Sequence, residues 1–225
     1  GDRVFYPVKS HIRASVPKSE KNNLDGKSIW IGGGETDQRI DSITSMIKEK
    51  GGLIDTLGPG QNKKNDLDVY MTGNVPSFSK LTELSRNEWD ELIEKFIKHP
   101  AHYIQRAINT FVQPGSDNSD DPRLFKDVKG RVVIIGPALP AGKKISGHER
   151  AKVEVFRGLL RPFATTVNQE LSDVLKSNIR VFLILPGTVD GKEPSDENIV
   201  NTINYLVSDE AGSSSEVIFC PDETR

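Results

Sequence analysis

Hydrophobic positions in this chain follow two regimes. Short unbroken apolar runs end at glycine or proline, and between them apolar residues recur every three or four positions. The strongest run, Ile179-Arg180-Val181-Phe182-Leu183-Ile184-Leu185, stops at Pro186-Gly187. Without alternation, it suits a strand buried on both faces of a parallel sheet. Arg131-Val132-Val133-Ile134-Ile135-Gly136 and Ser28-Ile29-Trp30-Ile31-Gly32-Gly33-Gly34 have the same character. Leu53–Leu57, Leu67–Gly73 and Glu216–Cys220 predict shorter strands. Helical spacing begins at Thr36 and runs to Lys50, with Ile40, Ile43, Met46 and Ile47 inward and Gly51-Gly52 as the stop. Ser85 with Glu88 forms a capping box ahead of Trp89, Leu92, Ile93, Phe96 and Ile97. Pro100 predicts an interruption before a helix over Ala101–Val112. A long helix from His148 to about Lys176 contains Pro162, which predicts a kink or a break. Asp196–Val207 closes the set of helices.

This alternation predicts an α/β protein: a three-layer Rossmann-like fold with a mostly parallel central sheet and right-handed crossovers. Residues 1–26 mix basic and apolar positions and read as an N-terminal arm packed on the sheet or on a partner. A targeting role is the alternative, against which Pro7 and Pro17 stand, because they break a continuous amphipathic helix. Residues 27–225 read as one Rossmann domain. Ligands of such sheets gather beyond the carboxyl ends of the strands, which places Pro186 to Asp190 at the site edge.

Composition narrows the partners. A net charge of −2 gives no electrostatic case for nucleic acid or an acidic membrane surface. The single cysteine, Cys220, excludes an intramolecular disulfide and fits an intracellular, reducing compartment, cytoplasmic or organellar. No apolar run has the length of a membrane span. The four histidines are scattered: Pro100 separates His99 from His102 and no third ligand lies nearby, so no metal site is expected. Neither a nucleophile elbow nor a phosphate-binding P-loop occurs.

Several motifs in order resemble the short-chain dehydrogenase/reductase family, in particular its 3-oxoacyl (ketoacyl) reductase branch. They are Leu84-Ser85-Arg86-Asn87-Glu88-Trp89-Asp90, Gly130-Arg131-Val132-Val133-Ile134-Ile135, Leu159-Leu160-Arg161-Pro162-Phe163-Ala164 through Gln169-Glu170-Leu171, and Asn178-Ile179-Arg180-Val181 with Leu185-Pro186-Gly187-Thr188-Val189. The resemblance implies NADP or NAD as cofactor if the chain is active. It places cofactor contacts at Gly32, Gly33 and Gly34, at Asp55 (ribose) and at Gly73 in Met71-Thr72-Gly73-Asn74. Yet the family's Thr-Gly-x-x-x-Gly-x-Gly turn is Ile31-Gly32-Gly33-Gly34-Glu35-Thr36-Asp37-Gln38 here. Glu35 and Asp37 put negative charge where a diphosphate would lie. The glycines also read simply as a tight strand-to-helix turn.

The family's Asn, Ser, Tyr and Lys are replaced. The Asn position falls near Phe96 and the Ser position at Pro137. The Tyr-x-x-x-Lys pair aligns with His148 and Lys152, or with Val153 and Arg157. His148 and Lys152, four apart on a helix, are the weak catalytic candidates, with a solvated helix start as the plainer reading. This pattern resembles degenerate reductase domains, such as the inactive pseudo-ketoreductase of animal fatty acid synthase. It implies a pseudoenzyme with no cofactor, a scaffold or partner subunit in fatty-acid or polyketide metabolism. The alternative is an NAD(P)-dependent oxidoreductase with a divergent site. A third reading is a regulator that binds nucleotide without chemistry. In the family, two helices form a dimer interface. The matching segments, Trp89–Ile97 and Val153–Val174, are the expected surfaces of a homo- or hetero-oligomer, through Phe96 with Ile97 and through Phe156, Leu160 and Phe163; packing of these faces on the sheet alone is the alternative reading.

Overall fold

The computed structural model describes residues 12–13, 21–33, 39–56, 58, 64–78, 80–112, 125–126, 128–140, 147–187, 195–213 and 218–221. Within them seven strands form: β1 (Ile12–Arg13), β2 (Ser28–Gly33), β3 (Leu53–Asp55), β4 (Leu67–Met71), β5 (Lys129–Ile135), β6 (Asn178–Ile184) and β7 (Ile218–Phe219). They make one sheet in the order β1-β7-β6-β5-β4-β2-β3, and every pairing is parallel. Of residues 1–26, Ile12–Arg13 extends the sheet beside β7, and Leu24 is fully buried in the core.

The unbroken apolar runs are explained by burial on both faces. In β5, Val133 and Ile135 face α1 (Arg39–Glu49) and α5 (Asp196–Leu206), while Val132 and Ile134 face α3 (His99–Val112) and α4 (Gly147–Gln169). β6 alternates likewise, with Phe182 and Ile184 on one face and Val181 and Leu183 on the other. Each such side chain contributes about 1.5–3 kcal/mol by leaving water. A short α6 (Asp209–Ser213) follows α5.

Three expectations are corrected. α2 (Arg86–Ile93) does not stop before Pro100: a π-helical segment, Glu94–Lys98, carries it into α3. The His99 N–H donates to the Glu94 carbonyl, five residues back, so the wider turn absorbs the backbone donor that Pro100 lacks. Pro162 likewise does not divide α4, which runs through it and ends in a second π segment, Glu170–Val174. The crossovers are not all right-handed. α1 follows β2 toward one edge and α5 follows β6 toward the other, yet both cover the same face. The two crossovers therefore have opposite hands. The steps from β4 to β5 and from β5 to β6 place their helices on the other face and share the hand of β2-α1-β3. With that hand right, as parallel crossovers overwhelmingly are, β6-α5-β7 is left-handed.

The first half of the sheet is short. A full dinucleotide fold has strand order 3-2-1-4-5-6, with three strands in each half. Here the third long strand of the sequence, β4, lies on the far side of β2 from β3, and nothing among the described residues pairs beyond β3. Of the residues between Asp55 and Leu67, Gly58 lies beside Trp30, and the Lys64 ammonium is 5.9 Å from the Phe111 ring. No described helix occupies that return.

Candidate functional site

The carboxyl edge is built from the ends of β2, β4, β5 and β6, and α4 crosses over it. Arg157, on α4, is fully buried there. Its Nη1 donates to the carbonyls of Pro186 at 2.6 Å and Pro137 at 3.2 Å, tying the exits of β6 and β5 together. Its Nε lies 3.5 Å from the Glu154 carboxylate one turn earlier. Phe96 and Phe156 are also fully buried, with ring centroids 4.9 Å apart. Val75, Phe78, Leu84 and Trp89 pack around them. The positions aligned with the family's Asn, Ser and second Tyr-x-x-x-Lys frame are thus close to one another and filled by Phe96, Pro137, Val153 and Arg157. Burial of Phe96, Phe156 and Leu160 in the chain's own core corrects the expectation that they form an association face. The exposed apolar residues of α4 are Val155 and Leu159.

Lys152 turns inward. Its ammonium donates to the Phe78 carbonyl and to Glu149 Oε1 at 2.7 Å, and lies 5.0 Å from the Phe78 ring. The Lys152 hydrogen bond holds the Glu149 carboxyl below its usual range. His148 is exposed in the first turn of α4.

The glycines of β2 have packing roles. A Cβ on Gly32 would stand 2.3 Å from the Trp30 indole, which lies over it. Gly33 has φ +131°, and a Cβ there would meet the Met71 carbonyl oxygen at 2.0 Å. Gly73, at φ +75°, turns the chain out of β4. Gly34, Glu35, Asp37 and Thr188–Asp190 lie outside the described residues. Asp55 is the last residue of β3, in register with Trp30, and is 9% exposed.

A polar group that pattern reading passed over lies under the α3 face. Asp68 interrupts the apolar run of β4, in register with Trp30 on one side and Val132 on the other. Asn65 Nδ2 donates to its Oδ1 at 2.9 Å, and Ser28 Oγ donates to Asn65 Oδ1 at 2.9 Å. Burial pushes the Asp68 carboxyl up to about 6; the Asn65 bond opposes the shift and the Asp55 charge adds to it. Tyr103, on α3, stacks on Trp30 at 5.1 Å and on Tyr70 at 4.8 Å. Its phenol is pushed well up, first by burial and then by Asp68 and Tyr70. The signal available in the sequence was the acid itself, in a strand otherwise apolar. Among the described residues, no group of His, Cys, Asp and Glu is placed to hold a metal, and no helix is long and apolar enough to cross a membrane.

No protein-family profile matches the chain. An uncharacterised oxidoreductase of Staphylococcus epidermidis is 22% identical over 200 residues, covering 83% of this chain and 77% of that protein. A short-chain dehydrogenase of Leptospira borgpetersenii with bound NAD+ superposes with a TM-score of 0.62 at 12% identity, over 94% of this chain and 96% of its own. A short-chain dehydrogenase/reductase of Serratia marcescens gives 0.61 at 16% identity, over 89% and 98%. The NADH-dependent reductase A1-R′ in complex with NAD gives 0.60 at 13%, over 89% and 96%. The chain therefore has the α/β Rossmann-like fold of the short-chain dehydrogenases/reductases.

Proposed function

We propose that this chain is a non-catalytic, ketoreductase-like Rossmann domain that serves as a scaffold or partner subunit, in fatty-acid or polyketide metabolism. One observation carries the reading. In the second of the two Tyr-x-x-x-Lys frames the proton donor's place is held by Val153 and the lysine's by the buried Arg157, which is spent on two backbone carbonyls, while the Asn place is held by Phe96, packed ring to ring on Phe156. Proton transfer to a carbonyl needs a titratable donor within hydrogen-bond reach of the substrate, and this arrangement supplies none. The residues present also fit a dinucleotide poorly. Asp55 is buried, Gly33 is closed against β4, and the first half lacks its third strand among the described residues. The expected result is no oxidation of NADH or NADPH by the purified chain with acetoacetyl thioesters, and no heat on titration with either nucleotide. Turnover above the buffer rate would overturn the reading.

The second reading is an NAD(P)-dependent oxidoreductase of the 3-oxoacyl reductase type with a divergent site. The names of the similar proteins favour it: an oxidoreductase, and reductases solved with NAD. It requires His148 and Lys152 to act together, and turnover lost in Lys152→Ala would establish it.

For assembly we propose the outward face of the Val153–Val174 helix together with the Trp89–Ile97 segment. Val155 and Leu159, one turn apart, are 37% and 42% exposed. Light scattering is expected to give the mass of an oligomer for the natural chain and of a monomer for Leu159→Glu. A monomer in both cases would remove homo-oligomerisation from the proposal.

A further inference from the structure

The short return between β3 and β4 has a consequence on the α3 face. With no described helix over β2 and β3 there, a cavity of about 550 Å³ opens, within the usual size of a small-molecule pocket. Trp30, Tyr70 and Tyr103 wall it. Trp30 and Tyr70 are only part-buried, so aromatic surface remains exposed at the opening. His99, His102 and Arg106 line the rim from α3. Their spacing of three and four residues sets all three on one side of that helix. His99 Nε2 lies 3.6 Å from Glu94 Oε1, while Arg106 brings a guanidinium with its fork of N–H donors.

A second observation points the same way. The Tyr103 hydroxyl is buried in the inner wall and has no hydrogen-bond partner among the described residues. Buried hydroxyls are normally satisfied, so the inner wall holds an unfinished polar group behind the aromatic surface. Asp68 is 1% exposed and is not among the residues that line the cavity. The surface offered to a ligand is thus aromatic inside and cationic at the rim.

We propose that this cavity binds a small planar aromatic ring bearing an anionic group. The ring lies against Trp30 and Tyr70, and the anion meets Arg106 and His102. The cavity lies on the sheet face, away from the carboxyl edge, so the inference stands whether or not the edge is catalytically silent.

The test is calorimetric titration of the whole chain with indole-3-carboxylate, with adenosine monophosphate and with uncharged indole. The first two separate a carboxylate from a phosphate as the anion. At least one anionic probe is expected to bind at submillimolar concentration, and more tightly than indole. Arg106→Gln, an exposed change that leaves the core untouched, is expected to weaken it roughly tenfold. Arg86→Gln, an equally exposed arginine at the start of α2, is expected to leave it unchanged. Circular dichroism confirms that both variants are folded. The proposal is overturned if neither anion binds, if indole binds as well as the anions, or if both arginine variants weaken binding equally.

Discussion

Arg157→Ala is expected to destabilise the chain by about 3 kcal/mol, combining a lost donor with a cavity in the core. The side chain is fully buried, so its removal leaves a void between α4 and the exits of β5 and β6. The two carbonyls it serves fare differently. Pro186 O also accepts from the Leu139 N–H at 3.1 Å and keeps that bond. Pro137 O loses the Arg157 donor. The Glu154 carboxylate is one-third exposed and also lies 3.6 Å from Arg161, so water and Arg161 compensate its loss. Urea unfolding is expected to show a lower midpoint with an unchanged slope. A loss below about 1 kcal/mol would mean that the guanidinium does not hold the strand exits together. The same residue bears on the proposed function: in one of the two Tyr-x-x-x-Lys frames it takes the lysine's place, and its Nη1 is used in holding the exits of β5 and β6 together.

Asp68→Asn is expected to stabilise the chain at pH 8 and to do nothing favourable at pH 4. Folded Asp68 keeps its proton up to about pH 6, whereas the ordinary carboxyl value is 3.8. Between those values the folded chain binds a proton that the unfolded chain has released. The stability contributed by protonated Asp68 is complete below pH 3.8 and lost as pH rises through about 6. The interval corresponds to roughly 3 kcal/mol. The asparagine amide still accepts from Asn65, but its own buried N–H group lacks a described acceptor, which costs about 1 kcal/mol. The expected net gain at pH 8 is therefore about 2 kcal/mol, vanishing toward pH 4. Parallel stability profiles for the two proteins between pH 4 and pH 8 would show that Asp68 is not held in the way its burial implies.

Reading residues in order worked best where the physics is local. The capping box predicted from Ser85 and Glu88 is present: the Ser85 N–H donates to Glu88 Oε2 at 2.7 Å, and the Glu88 N–H donates to Ser85 Oγ. The runs over β2, β5 and β6 became strands because burial on both faces demands apolar side chains in both directions. Local reading overstated the prolines: Pro100 does not interrupt its helix, and of the kink or break expected at Pro162 the break does not occur. Pro100 and Pro162 each remove one backbone bond, but packing of the helix face against the sheet outweighs that single loss, and a π turn takes up the strain around Pro100.

The candidate site was half legible. Motif order led to the carboxyl edge and to the replaced positions, including Pro137 and the Val153–Arg157 frame. It did not show that Arg157 would face inward, because an arginine on a helix is ordinarily solvated. Nor did it show that Gly32 makes room for an indole and Gly33 for the backbone of β4, because a glycine's neighbours across the sheet are remote in sequence.

Hydrophobic periodicity alone settled the class of fold, the parallel sheet and the order of most elements, since each depends on what a segment must bury. The placement of β4 beside β2, the opposite hand of the β6-α5-β7 crossover and the cavity between Trp30, Tyr70 and the start of α3 were decided only in three dimensions. A strand's apolar run says that it needs neighbours on both sides. Which neighbours it takes depends on the length of the connections and on the faces the helices already occupy, and these are properties of the assembled sheet.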